Sequence, residues 1–226
     1  MLLPALTLVC ALVAIAAALL GPAYTTLQFV FKPLTTLFVI AYAWPRGADS
    51  ARRRRFLRVG LALSLIGDVF LLWPKEGFLP GLVSFLLAHL AYIAAFCVPA
   101  RLAARPLVFV GYGVVAALIL SQLWSDVPGP LRAPVIAYVV CLATMAAQAT
   151  VWWRSAIGRG DERLARAAAI GGLLFMTSDS LLAINKFALP LPFAPLWILA
   201  TYWAAQWCIA SSLQRSHALE QAREAA

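Results

Sequence analysis

The chain has 226 residues, 63% apolar and only 12% charged, with a net charge of +9 and a mean hydropathy of +0.87. A soluble domain carries about 25% charged residues, so a water-soluble globule is excluded, and at roughly 20 residues per membrane crossing the length is taken up by about eight helices with no room for a separate aqueous domain. The positive charge does not indicate nucleic acid, because the arginines sit in short connections beside apolar runs, where membrane topology and anionic headgroups account for them.

The first apolar run, 2–20, resembles the core of a secretory leader but lacks a basic start, and it reads as a retained first helix. Further runs follow at about 27–44, 56–73, 78–98, 106–123, 132–153, 164–185 and 193–213. The breaks carry turn residues, as at Gly21-Pro22, Pro45-Arg46-Gly47, Pro128-Gly129 and Leu189-Pro190-Leu191-Pro192. Trp44, Trp73, Trp124, Trp152, Trp153 and Trp197 fall at span ends, where an amphipathic ring suits the headgroup zone. The basic residues concentrate in the even connections: Arg46, Arg52 to Arg55 and Arg58, then Arg101 and Arg105, then Arg154, Arg159, Arg163 and Arg166, with Arg215 and Arg223 in the tail. The positive-inside rule therefore puts both termini in the cytoplasm, with a cytoplasmic tail at 214–226. The expected fold is an all-α integral membrane protein, a single transmembrane domain over 1–226, and chain size and topology point to a bacterial inner (cytoplasmic) membrane.

The chain also reads as duplicated. Ser64-Leu-Ile-Gly-Asp68-Val-Phe-Leu-Leu72 echoes Phe175-Met-Thr-Ser-Asp179-Ser-Leu-Leu-Ala183, and each is followed by a loop and a span opening on Phe, at Phe78 and Phe193. Four spans return the chain to its starting side, so the halves, about 1–100 and 101–213, are expected to be parallel four-helix repeats.

An acid at the bilayer centre costs about 2.5–3.5 kcal/mol on insertion scales, so Asp68 and Asp179 ask for a partner or a role. The polar side chains within reach are Lys32, Ser64, His89, Tyr92, Ser178, Asn185, Lys186, Tyr202 and Gln206. Counting 1.5 Å per residue from the expected span ends, Asp68 lies about 18 Å in from the cytoplasm, and the ionisable groups converge on the outer half to the middle of the membrane. Ser64 and Asp68, and likewise Tyr202 and Gln206, share a helix face at i, i+4; His89 and Tyr92 do so at i, i+3. Lys32-Pro33 predicts a kink whose freed carbonyls help line a polar cavity. Plainer roles stand beside these: an Asp as a structural hydrogen-bonding group, His89 as an interhelical bridge, Lys32 as a counter-charge, Lys186 snorkelling to the interface, Gln206 as glue between helices. Cys10, Cys97, Cys141 and Cys208 lie in apolar stretches without metal-ligand spacing and read as packing residues; no metal or cofactor is implied.

Taken in order, Phe31-Lys-Pro-Leu-Thr-Thr36, Gly67-Asp-Val-Phe-Leu-Leu72, Phe85 to Phe96 with its His89 and Tyr92, Ala137-Tyr138 with Met145, Ser178 to Phe187, and Thr201-Tyr-Trp-Ala-Ala-Gln206 resemble the lysoplasmalogenase family of membrane proteins, the YhhN and TMEM86-like proteins. Trp207-Cys208 departs from that pattern, which is usually more aliphatic there. The resemblance implies a lysophospholipid substrate, membrane lipids as partners, and hydrolysis of a vinyl ether to a fatty aldehyde and a glycerophospho-headgroup. Vinyl ether hydrolysis needs a general acid and a second carboxylate to stabilise a cation or activate water, which Asp68 and Asp179 would supply, with Lys32 and His89 orienting or tuning them and Tyr202 positioning water or the substrate. The residues alone equally admit a proton-coupled transporter or exchanger, or a lipid-binding protein without turnover.

Overall fold

A computed structural model describes residues 2–73 and 75–214; Arg215, Arg223 and the rest of the expected tail beyond Gln214 lie outside the described residues. Every regular element among them is helical. In order they are α1 (Leu2–Leu20), a 3-10 turn (Pro22–Tyr24), α2 (Thr25–Ala43), α3 (Ala51–Phe70), α4 (Phe78–Phe96), α5 (Pro106–Leu123), α6 (Gly129–Ala156), α7 (Glu162–Ala183) running directly into a π-helical turn (Ile184–Ala188), and α8 (Ala194–Ser211).

Six of these are long and apolar enough to cross a membrane: α1, α2 with its leading turn, α4, α5, α6, and α7 with its π turn. Closed backbone hydrogen bonding within each helix is what permits burial in lipid, and the chain is an integral membrane protein. α3 and α8 fall outside the six for a reason visible in their residues. α3 opens on Arg52 to Arg55, and α8 carries Thr201, Tyr202 and Gln206. α3 also starts earlier than its apolar run, at Ala51, because Ser50 caps it: its Oγ accepts from the Arg53 amide at 3.2 Å. The arginines thus form its first turns rather than a loop. α2 stays helical through Pro33.

The most extensive helix pairs are α3 with α4 and α7 with α8, followed by α1 with α2 and α6 with α7. Small residues let these backbones approach. A methyl group on Gly60 would sit 2.3 Å from the Tyr92 ring, and one on Gly67, beside Asp68, 2.6 Å from the Phe85 ring. α4 also meets α6, and α8 meets α1 and α2, so that α2, α3, α4, α6, α7 and α8 enclose a common centre. α5 leans on α6 and the π turn and buries only Ala116 and Leu123.

At the end bearing the arginine cluster, Arg53 ties several elements together. It pairs with Asp49 at 2.8 Å, donates to the Ser212 carbonyl at 3.3 Å and lies over the Trp152 ring, whose Nε1 donates to Asp161 at 2.9 Å. Gln148 on α6 donates to the Ala100 carbonyl at 2.9 Å and accepts from the Ala103 amide at 3.2 Å, closing the connection that leads into α5.

Candidate active site

The two acids sit toward the opposite end. α3 stops at Phe70, two residues after Asp68, and α7 gives way to its π turn after Ala183, four residues after Asp179. Both line one cavity of about 360 Å³, walled mainly by apolar side chains that include Leu82, Phe85, Leu120, Leu142 and Met176.

The two carboxyl groups differ in their partners. Asp68 Oδ2 accepts from Thr36 Oγ1 at 2.6 Å and from the Tyr202 hydroxyl at 2.7 Å, and Lys32 Nζ lies 3.9 Å from Oδ1. Lys32, Thr36 and Asp68 are all buried. Lys32 and Thr36 stand one turn apart on α2 and so reach α3 from a single face. Asp179 has the Tyr138 hydroxyl, donating to Oδ2 at 2.5 Å, and among the described residues no cation lies in salt-bridge reach of it. One acid therefore accepts two hydrogen bonds with an ammonium 3.9 Å away, and the other accepts one. Hydrogen bonds to an ionised acceptor are about twice as strong as neutral ones, which matches the richer donor set to an anion.

Behind Asp68 runs a chain of polar side chains. Tyr202 accepts from Gln206 Nε2 at 3.2 Å, Gln206 Oε1 accepts from the Tyr92 hydroxyl at 2.8 Å, and Tyr92 lies 3.2 Å from Ser64 Oγ. Trp203 Nε1 donates to Thr36 Oγ1 at 3.2 Å, fixing the hydroxyl that itself donates to Asp68. Each member leaves its neighbour a single free role, which orients the hydroxyls toward the carboxylate.

Of the residues singled out from sequence, Lys32, Asp68, Ser178, Asp179, Asn185, Lys186 and Tyr202 line the cavity. Ser64, Tyr92 and Gln206 do not reach it and form the chain behind Tyr202. Ser178 turns its hydroxyl to the Ile198 carbonyl at 3.0 Å, bracing α7 against α8. His89 touches neither acid. It is fully buried, packed edge-on against Tyr138 (5.2 Å between centroids) and Phe175 (4.6 Å), and neither ring nitrogen has a hydrogen-bond partner among the described residues. Asn185 and Lys186 sit on the π turn; Asn185 Oδ1 accepts from the Leu191 amide at 3.0 Å, and Lys186 Nζ lies 4.2 Å from the Phe78 ring centre.

Sequence reasoning passed over Thr36 and Tyr138 as site residues. The i, i+4 spacing to Lys32 was the available signal for Thr36. For Tyr138 the one signal was its place in the Ala137-Tyr138 stretch of the family resemblance, because a tyrosine in an apolar helix has no periodicity that distinguishes it from packing.

The model of the YhhN family matches residues 27–213. The human protein Lysoplasmalogenase TMEM86B is 35% identical over 186 residues, covering 82% of this chain and 74% of the relative. Lysoplasmalogenase TMEM86A of Bos taurus is 33% identical over 159 residues, covering 70% and 65%. The Lysoplasmalogenase of Mycobacterium tuberculosis (strain CDC 1551 / Oshkosh) is 33% identical over 185 residues, covering 76% and 62%. No solved structure matches the chain. By the span of the family match and the extent of these identities, the chain belongs to the YhhN family.

Proposed function

We propose that this protein hydrolyses the vinyl ether bond of lysoplasmalogens inside the membrane, with Asp179 as general acid and Asp68 as the anionic partner. The observation that carries this is two carboxyl groups on one apolar cavity with unequal donor sets. Asp179, with a single donor and no cation in salt-bridge reach among the described residues, is suited to hold a proton. It delivers that proton to the β-carbon of the vinyl ether, and the α-carbon becomes an oxocarbenium ion that the Asp68 carboxylate stabilises electrostatically. Water adds to the α-carbon and returns its proton to Asp179. In the resulting hemiacetal the hydroxyl proton passes to the glycerol oxygen as the carbon–oxygen bond to glycerol breaks, releasing an alcohol and a fatty aldehyde and leaving Asp179 in its acid form. The division into acid and stabilising carboxylate parallels that of glycosidases, by chemical analogy only. Lys32, Thr36 and Tyr202 orient Asp68, and Tyr138 orients Asp179.

The names borne by the relatives support the substrate class, and none of those reported above is a transporter. The same reading takes all eight helices as spans. α3 then turns Val59, Ile66, Val69 and Phe70 outward to lipid, the halves 1–100 and 101–213 are parallel repeats, and both termini lie in the cytoplasm of a bacterial inner membrane. The pairing of α3 with α4 and of α7 with α8 supports the repeat.

The test is release of aldehyde from a defined lysoplasmalogen by the purified protein in detergent. Wild type is expected to turn over, and Asp68→Asn and Asp179→Asn are each expected to lose about 10²–10⁴-fold in kcat. Full activity in both variants would remove the carboxylates from the chemistry, and a folded but inert wild type would remove this substrate.

A further inference from the structure

The neutral polar side chains on the cavity wall are committed within the protein, with one exception. Tyr138 and Tyr202 donate to the acids, Ser178 donates to the Ile198 carbonyl, and Ser180 donates to the Met176 carbonyl at 2.7 Å. Asn185 engages the Leu191 amide through its oxygen. Gln28, half-buried on the lining, makes no hydrogen bond with any described residue, so its carbonyl and its NH₂ group are both uncommitted.

The helix fixes where that amide sits. Gln28, Lys32 and Thr36 follow one another at i, i+4 and i+8 on a single face of α2, and the other two members serve Asp68. Phe29, next in the chain, packs edge-on against Trp73 with 5.0 Å between ring centres, which ties the start of α2 to the segment after α3. α2 runs toward the arginine-bearing end, so Gln28 lies farther from that end than Lys32, by four residues or about 6 Å.

That offset matches the proposed substrate. With the vinyl ether at the carboxyl groups and the headgroup toward the π turn, the oxygen on the central glycerol carbon lies roughly four bonds, or about 5 Å, from the carbon that water attacks. A free hydroxyl there both donates and accepts, and an amide answers it with both of its groups, whereas an ester or ether oxygen only accepts.

We infer that Gln28 binds the free hydroxyl of the central glycerol carbon and so selects single-chain ether lipids over those substituted at that oxygen. This rests on the reading of the cavity as a lysolipid site and adds to it the side chain that distinguishes such a lipid from its two-chain parent. Oε1 accepts the hydroxyl proton and Nε2 donates to the hydroxyl oxygen. Substitution at that oxygen removes the proton and leaves Oε1 facing the lipid without a donor.

The experiment is binding rather than turnover, so that its failure stays separate from any failure of hydrolysis. The full chain in detergent is titrated, following tryptophan fluorescence, with saturated 1-O-hexadecyl glycerophosphocholines that carry a hydroxyl, a hydrogen or a methoxy group on the central carbon. Wild type is expected to bind the hydroxyl form about tenfold more tightly than the hydrogen form, and the methoxy form no more tightly than the hydrogen form. Gln28→Met, which keeps the length of the side chain and loses the amide, is expected to bind the hydrogen form as wild type does and to lose the preference for the hydroxyl. Equal binding of all three by wild type, or a hydroxyl preference that survives Gln28→Met, would overturn the assignment and leave the lysolipid reading standing. Binding of none of them would overturn both.

Discussion

At the scale of single residues, Lys32 and Asp68 are the most exacting pair in the molecule. Both are buried and 3.9 Å apart, and Lys32 has no hydrogen bond to any other described side chain. Removing one member of a buried pair costs more than removing both, because the survivor is left as an uncompensated charge. Asp68→Asn is therefore expected to destabilise the protein by about 3 kcal/mol, and adding Lys32→Met to recover much of that loss without restoring aldehyde release. Unfolding in detergent beside the turnover assay reads both effects. If the double variant is no more stable than Asp68→Asn, the lysine is not the carboxylate's charge partner. His89 makes a contrast. Its spacing from Tyr92 implied a shared polar face, yet the ring turns to Tyr138 and Phe175, and the two α4 residues serve different parts of the site.

At the scale of helices, contact between α3 and α4 depends on missing side chains. Tyr92 lies against Gly60 so closely that any Cβ there overlaps the ring, and Tyr92 is also the donor that holds Gln206. Gly60→Leu is expected to destabilise by about 1–3 kcal/mol and also to reduce kcat, by displacing the hydroxyl chain that ends on Asp68. Unfolding and turnover measured together check this, and a destabilised variant with wild-type kcat would uncouple the packing from the chemistry. The existence and order of the helices were legible from apolar runs and turn residues alone, since lipid imposes a length on each. The start of α3 was not, because a hydropathy pattern ends where arginines begin, whereas the Ser50 cap extends the helix through them. Nor was the π turn, which leaves no periodic trace. The acids, Lys32 and Tyr202 were legible because an ionisable or hydroxyl group in lipid demands explanation. Thr36 was marked only by its i, i+4 spacing to Lys32, and Tyr138 escaped because a tyrosine in an apolar helix reads as packing.

At the scale of the whole molecule, the cavity is shallow compared with the lipid it is proposed to hold. On α6 the deepest lining residue is Ala143, five residues past the Tyr138 that marks the level of Asp179, or about 7.5 Å along the helix. A lipid chain reaches through about half of a hydrocarbon core some 30 Å thick. Most of the chain must then lie outside the cavity, and the least buried of the candidate spans is α5, which lines it with Ala116, Ile119, Leu120 and Leu123 while exposing Leu107, Val110, Val114 and Leu118 on its other face. The pocket would therefore act as a gauge for the first few carbons and be blind to the rest. KM is expected to fall with chain length up to about six carbons and then level off. A series of alkenyl chains in one detergent would show this, and a steady fall through long chains would mean a deeper seat than the one described. An enzyme built this way ignores the length of the tails in its host's lipids beyond their first few carbons, so that one protein serves every long chain the membrane contains.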